Sequence, residues 1–293
     1  MAGLVDLLRY VLSHPMNRSD RLAALRRVVS WQVGSRLLPA GSAVPFVDDT
    51  VLFMTRGMTG ATGNWYCGLH EVDEMAFLLH TIRPGERFFD VGANVGSYAI
   101  LAASKGADVV AAEPVLSTCK ALTRNVQVND FSDRIRVENA AVGESVGELR
   151  MTSELDTTNH AVAAGDDQGL GVLVPMTTLD ELAKFGQPNF LKVDVEGYEA
   201  AVVRGGQTTL SDRNLHAVVM ETNGSGRRYG EDDIDLVRHM LDFGFVTCTY
   251  DGLTRRLSPA DPSASNTIFV RDVAAMQARV STAPRHRLVN GTI

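Results

Sequence analysis

From Phe88 to about residue 243, short apolar runs alternate with longer stretches of helical spacing. The runs lie at 87–91, 108–112, 135–139, 189–193 and 216–221. Helical patterns fill the gaps at about 95–105, 116–129, 197–210 and 231–243. A strand followed by a helix, repeated, predicts a mostly parallel sheet with helices on both faces. The runs "FVTCTY" and "NTIFVR" then follow with no helical pattern between them, so they read as an antiparallel pair at the sheet edge. A further pair, "GELRMT" and "GVLVPMTTL", flanks a polar loop at 153–170 and reads as a hairpin insertion.

Upstream, residues 1 to about 40 read as helical. Ser19 or Asp20 serves as an N-cap, and Leu22, Leu25, Val28, Val29 and Val33 recur at helical spacing among arginines. The expected role is packing on the domain or on a second subunit, giving a homodimer through the N-terminal helices; a membrane-surface helix is the sharper alternative. "TVLFMT" reads as a strand and the Gly/Thr cluster after it as a turn or loop. "EVDEMAFLLHTI" reads as a helix stopped by Pro84 and Gly85. The chain divides into an N-terminal extension (1–65), a main domain (66–271) and a tail (272–293) of weak periodicity, expected to be loose.

Composition narrows the partners. A formal net charge of −7 gives no general grip on nucleic acid. Three scattered cysteines form neither a disulfide framework nor a cysteine zinc site, and point to a reducing, cytoplasmic setting. No apolar run reaches the ~18 residues of a membrane span.

The chemistry concentrates in "FFDVGANVG" (88–96), a strand running into a glycine-bearing turn and a helix. In an open α/β sheet such a turn receives the ligand beyond the strand ends. Its spacing is Gly92-x-x-x-Gly96 rather than GxGxxG, and Asp90 would set a carboxylate beside a dinucleotide's pyrophosphate. The turn suits a cofactor with no phosphate and a cationic end, as in S-adenosylmethionine. Glu113, 21 residues after Gly92, reads either as an acid for a ribose diol or as a helix-start acid. The Asn139–Ala140–Ala141 turn either covers the adenine or has Asn139 as a plain turn former; the ordered set of three strand ends favours the nucleoside.

In "FLKVDVEG", Lys192, Asp194 and Glu196 alternate with apolar residues and share one face if the strand runs that far. Asp194 or Glu196 is a candidate general base, and so is His160 in the polar insertion, beside Asn159. Asp194, Glu196 and Glu221 together offer oxygens to a magnesium ion, which is not expected. The simpler reading pairs Lys192 with an acid and makes Glu196 a helix cap. Arg227 and Arg228 read either as contacts for an acidic acceptor, a carboxylate or phosphate, or as solvated charges near a helix start. Trp65, Tyr66 and His70 read either as a lid or as packing.

"FFDVGANVGSYAI", "AAEPVLSTCKALTRNV", "VENAAVG", "VPMTTLDEL" and "FLKVDVEGYEAAVVRGG", with "YCGLHEVDE" upstream, resemble in order the FkbM family of methyltransferases, from about residue 66 to 271. The resemblance implies a class I methyltransferase fold, a Rossmann-like α/β sheet of seven strands, mostly parallel with an antiparallel last hairpin. It implies S-adenosylmethionine-dependent O-methylation of a sugar, lipid-linked or secondary-metabolite hydroxyl, with a small-molecule or glycolipid-type acceptor. It maps cofactor contacts to Glu71, Asp90, Gly92, Ala93, Asn94, Gly96, Glu113, Pro114, Asn139, Ala140, Ala141 and Asp194. An NAD-dependent oxidoreductase and a non-catalytic module of the same fold are the alternatives.

Overall fold

The computed structural model describes residues 3–152, 159–162 and 171–293. Two helices open the chain, α1 (Leu4–Ser13) and α2 (Arg21–Leu37), the second capped by Asp20, whose carboxylate accepts the Ala23 N–H. A small hairpin, β1 (Ser42–Pro45) with β2 (Val51–Met54), follows. Then come α3 (Thr59–Cys67) and α4 (Val72–Thr81).

The alternating region gives β3 (Arg87–Val91), α5 (Ser97–Ser104), β4 (Asp108–Ala112), α6 (Leu116–Val128) and β5 (Ile135–Glu138). Next is a three-stranded insertion. In it β6 (Ala141–Gly143) pairs parallel with β8 (Val172–Thr178), and β7 (Gly147–Met151) pairs antiparallel with β8. The expected hairpin is present; apart from residues 159–162, its polar tip lies outside the described residues.

The second half runs α7 (Leu179–Leu182), β9 (Phe190–Val193), α8 (Glu199–Arg204), α9 (Gln207–Ser211), β10 (Ala217–Glu221), α10 (Asp233–Asp242), β11 (Val246–Asp251), β12 (Arg256–Pro259), β13 (Asn266–Val270) and α11 (Val273–Ser281). The chain closes with a short hairpin, β14 (Arg287–Leu288) with β15 (Gly291–Thr292).

The main sheet has the order β5-β4-β3-β9-β10-β13-β11-β12. β5 to β10 run parallel, and β13 lies antiparallel between β10 and β11. This is the class I methyltransferase arrangement. The expected antiparallel pair is there, but β13 inserts inside the sheet rather than at its edge, and β12 adds an eighth strand. Side chains alternate by face. Phe88, Phe190 and Val219 enter one apolar layer, while Phe89, Leu191 and Val218 enter the other.

Three local expectations are corrected. The Gly/Thr cluster is not a loop but the start of α3. Its weak helix propensity is overridden by burial of Ala61, Asn64 and Cys67, and small residues let it pack closely. A side chain at Gly63 would come within 2.5 Å of the His70 ring. The tail is not loose either. Met276, Val280, Leu288 and Ile293 join the same apolar layer as Val28 and Trp31 of α2, and Asn290 Nδ2 donates to the carbonyls of Met16 and Cys67. Finally, Gly205 and Gly206 break the 197–210 helix into α8 and α9. A Cβ on Gly205 would meet the Gly143 carbonyl at 2.0 Å.

Candidate active site

Strand order reverses between β3 and β9, and a crevice opens beyond the carboxyl ends there. Four neighbouring strands each deliver an acid to it. These are Asp90 from β3, Glu113 after β4, Asp194 after β9 and Glu221 at the end of β10. They line a cavity of about 320 Å³ with Glu71, Glu196, Lys192, Asn94 and Tyr98. Among the lining residues six carboxylates face one ammonium.

Asp90 is 2% exposed, and its Oδ2 has no hydrogen-bond partner among the described residues. Burial pushes its carboxyl up to about 7. Lys192 pulls it down, and Asp194 pushes it up. An unpartnered buried oxygen costs about 1–3 kcal/mol, so its retention points to a ligand donor. Glu113 also sits near 7, raised by burial and restrained by two backbone donors. The Asn94 N–H reaches Oε2 at 3.0 Å and the Val115 N–H reaches Oε1 at 2.9 Å. Each oxygen keeps a lone pair for a hydroxyl.

Lys192 is 1% exposed, donates to Asp194 Oδ2 at 2.9 Å and lies 5.2 Å above the Tyr98 ring. Burial alone would lower its pKa; the charges of Asp194 and Glu71 outweigh burial and raise it. Glu71, at the start of α4, accepts from the Tyr98 hydroxyl at 2.6 Å and from Asn266 Nδ2 at 2.7 Å. Burial works to raise it, but Lys192 and these two donors hold it below the usual range.

Strand β9 ends at Val193, so Glu196 shares the cavity through a turn rather than through strand periodicity. Its φ is +56°, in the left-handed region. Glu196 does not cap α8. Glu199, the first residue of α8, braces the turn before the helix instead, its Oε1 accepting the Val195 and Gly197 N–H groups. Burial raises Glu196 to about 7, and the charges of Asp194 and Glu199 add to it. Glu221 is raised further by burial and by Asp194 and Glu196, and its Oε2 lacks a partner among the described residues. One carboxylate oxygen from each of Asp194, Glu196 and Glu221 lies within 4.8 Å of the others.

Ala93, Pro114, Ala140 and Ala141 line the cavity as well, while Gly96, Asn139 and His160 do not. Gly96 starts α5 at φ +92°, and a Cβ there would strike Leu122. Gly92 lines the cavity, yet the space that its missing Cβ leaves belongs to protein, since a Cβ would lie 1.8 Å from the Asp194 carbonyl oxygen. These glycines let the strand-end turn close on its neighbours. Asn139 braces the turn, donating to the carbonyls of Glu113 and Pro114 at 2.9 Å. His160 is half-buried, with its N–H on Thr152 Oγ1; Asn159 and Ala161 on either side reach the cavity instead.

Trp65 and Tyr66 are packing, not lid. The Trp65 indole donates to the Arg27 carbonyl, and Arg27 donates to the Tyr66 carbonyl. His70 does line the cavity and is held by the Tyr10 hydroxyl at 2.5 Å. Asn64, Ser97 and Tyr98 escaped sequence reasoning. Asn64 Nδ2 donates to Ser97 Oγ at 3.1 Å across α3 and α5, a pairing between distant segments that no local motif announces.

The FkbM methyltransferase domain matches residues 90–247, more than half of the chain. The chain belongs to the FkbM methyltransferase family. The hexuronic acid methyltransferase AglP of Haloferax volcanii is 30% identical over 152 residues, covering 50% of this chain and 60% of that protein. A ribosomal protein L11 methyltransferase of Desulfitobacterium hafniense is 33% identical over 101 residues, 34% of this chain and 31% of that protein. This FkbM-family chain therefore spans less than two thirds of the curated relatives it matches. A methyltransferase FkbM structure from Methylobacillus flagellatus KT aligns over 83% of this chain and 59% of that one, with 16% identity and a TM-score of 0.44.

Proposed function

We propose that the chain methylates a hydroxyl of an acidic sugar or sugar-bearing lipid, using S-adenosylmethionine. The observation that carries this reading is the buried, unpartnered Asp90 Oδ2 in a cavity of six carboxylates and one ammonium. That field suits a cationic cofactor and opposes the pyrophosphate of NAD. It also argues against a non-catalytic module, which has no use for a costly orphaned acid.

S-adenosylmethionine supplies an electrophilic methyl carbon on a cationic sulfur. Asp90 would hold the ammonium end, Glu113 the ribose hydroxyls, and the Ala140–Ala141 turn the adenine. As the acceptor oxygen bonds to the methyl, the methyl–sulfur bond would break and the sulfur would leave as a neutral thioether; Glu196, its carboxyl raised to about 7, would receive the hydroxyl proton. Asp194 holds the Lys192 ammonium in place. On the acceptor side stand Tyr198, Met151 and Asn159. The Tyr229 hydroxyl ties the turn carrying Arg227 and Arg228 to the insertion through the Ala161 carbonyl. Arg228 is near enough to Glu196 for its charge to pull that carboxyl down, and a hexuronic-acid carboxylate complements it. The three cysteines are buried and free, which suits a reducing, cytoplasmic setting.

Calorimetric titration tests the cofactor. S-adenosylmethionine is expected to bind and NAD is not, and preference for NAD would overturn the reading. Transfer to uronic-acid glycans and not to neutral ones tests the acceptor.

The carboxylate trio supports a second reading for the proton. A divalent ion held by Asp194, Glu196 and Glu221 would lower the acceptor's pKa and relieve their mutual repulsion. Loss of turnover in EDTA with recovery in magnesium is the outcome expected on this reading. Turnover indifferent to EDTA leaves Glu196 as the base.

A further inference from the structure

Helix α2 is apolar on two sides. Ala24, Val28 and Trp31 are buried against the domain. On the opposite side Leu22, Val29, Val33 and Leu37 are 68%, 61%, 53% and 74% exposed. Their spacing of seven, four and four residues places them in one stripe along the helix. Arg26 and Arg36 are exposed along the same side, and Arg18 and Arg21 are exposed at its start.

The helix is held firmly from behind. Arg27 is buried, with its guanidinium donating to the Tyr66 carbonyl and to Asn17 Oδ1. Tyr66 belongs to α3, and α3 brings Thr59, Ala61 and Asn64 to the cavity wall. The exposed stripe is thus fixed to the element that lines the cavity.

We propose that this face docks on an anionic lipid surface. Charge decides between that occupant and a second copy of the chain. Residues 1–40 hold six arginines and two aspartates, a net of +4, in a chain whose net charge is −7. Between Arg21 and Leu37 there is no acidic residue. A two-fold pairing of α2 on itself would set arginines against arginines with no counter-charge in the helix. An anionic membrane supplies that counter-charge, and its acyl boundary receives the leucines and valines. The acidic remainder of the chain would be repelled, which orients the protein with α2 inward. No described helix is long and apolar enough to cross a membrane, so docking is on the surface.

The test is co-sedimentation of the full chain with phosphatidylcholine vesicles, with and without phosphatidylglycerol. Binding is expected on the anionic vesicles, about tenfold or more weaker on neutral ones, and weakened by salt. Val29→Asp with Val33→Asp should abolish binding, and Arg26→Gln with Arg36→Gln should weaken it. All four positions are exposed, so the thermal midpoint and S-adenosylmethionine affinity should not change. Failure to bind anionic vesicles, or unchanged binding by both variants, overturns the proposal. A dimer by light scattering that Val29→Asp dissociates, without vesicle binding, assigns the face to a second copy instead. None of these readouts requires methyl transfer.

Discussion

Asp90→Ala is expected to weaken S-adenosylmethionine binding about 10–100-fold while the chain stays folded. The figure follows from losing one charge-assisted hydrogen bond, about 1.5–3 kcal/mol, at 1.4 kcal/mol per factor of ten. Calorimetry reads it directly, and unchanged affinity would remove Asp90 from the cofactor site. The same carboxyl sets a pH dependence. Its folded pKa is raised to about 7, above the ordinary carboxylate value, so the folded state holds a proton that the unfolded state has lost. Its contribution to ligand-free stability should therefore fall as pH rises from about 4 to 7 and level off above that, while Glu221, raised to about 9, extends the decline. Asp90→Asn should make this slope shallower by one carboxyl's share, because Glu74, Glu113, Glu196 and Glu199 are raised to about 7 as well. Binding of a cation calls for the ionised form, so wild-type affinity should rise over the same interval with proton release. Titrations in buffers of different ionisation enthalpy measure that release.

Glu196→Gln is expected to lower kcat about 10²–10⁴-fold and leave cofactor affinity close to wild type. In the wild type, kcat should climb with pH and level off near 7, because only the ionised carboxylate accepts the proton. Near-normal turnover by the glutamine variant would exclude Glu196 as the base. Asp194→Asn is a less clean probe. Asp194 is the ion-pair partner of a fully buried ammonium, so its loss strands Lys192 with Glu71 and disturbs the fold. Comparing thermal midpoints with kcat separates the two causes. Asp194→Asn should lower both, and Glu196→Gln only kcat.

The sequence alone determined the strand–helix alternation, the antiparallel pair near the end, the hairpin insertion and the strand-end acids. Each is local: a period of two or 3.6, a glycine-bearing turn, an acid at the close of an apolar run. Tertiary structure decided what depends on contacts between distant segments. It turned a glycine-rich stretch into α3, because burial of Ala61, Asn64 and Cys67 outweighs weak propensity. It ordered the weakly periodic tail, because Asn290 and Leu288 find partners more than two hundred residues away. It gave the bracing of the turn before α8 to Glu199 and left Glu196 to the cavity, which the period of a strand would not reveal because β9 stops at Val193. It also left Asp90 Oδ2 without a partner among the described residues. Sequence can place an acid at a strand end, but only packing from every side decides whether anything in the chain reaches it.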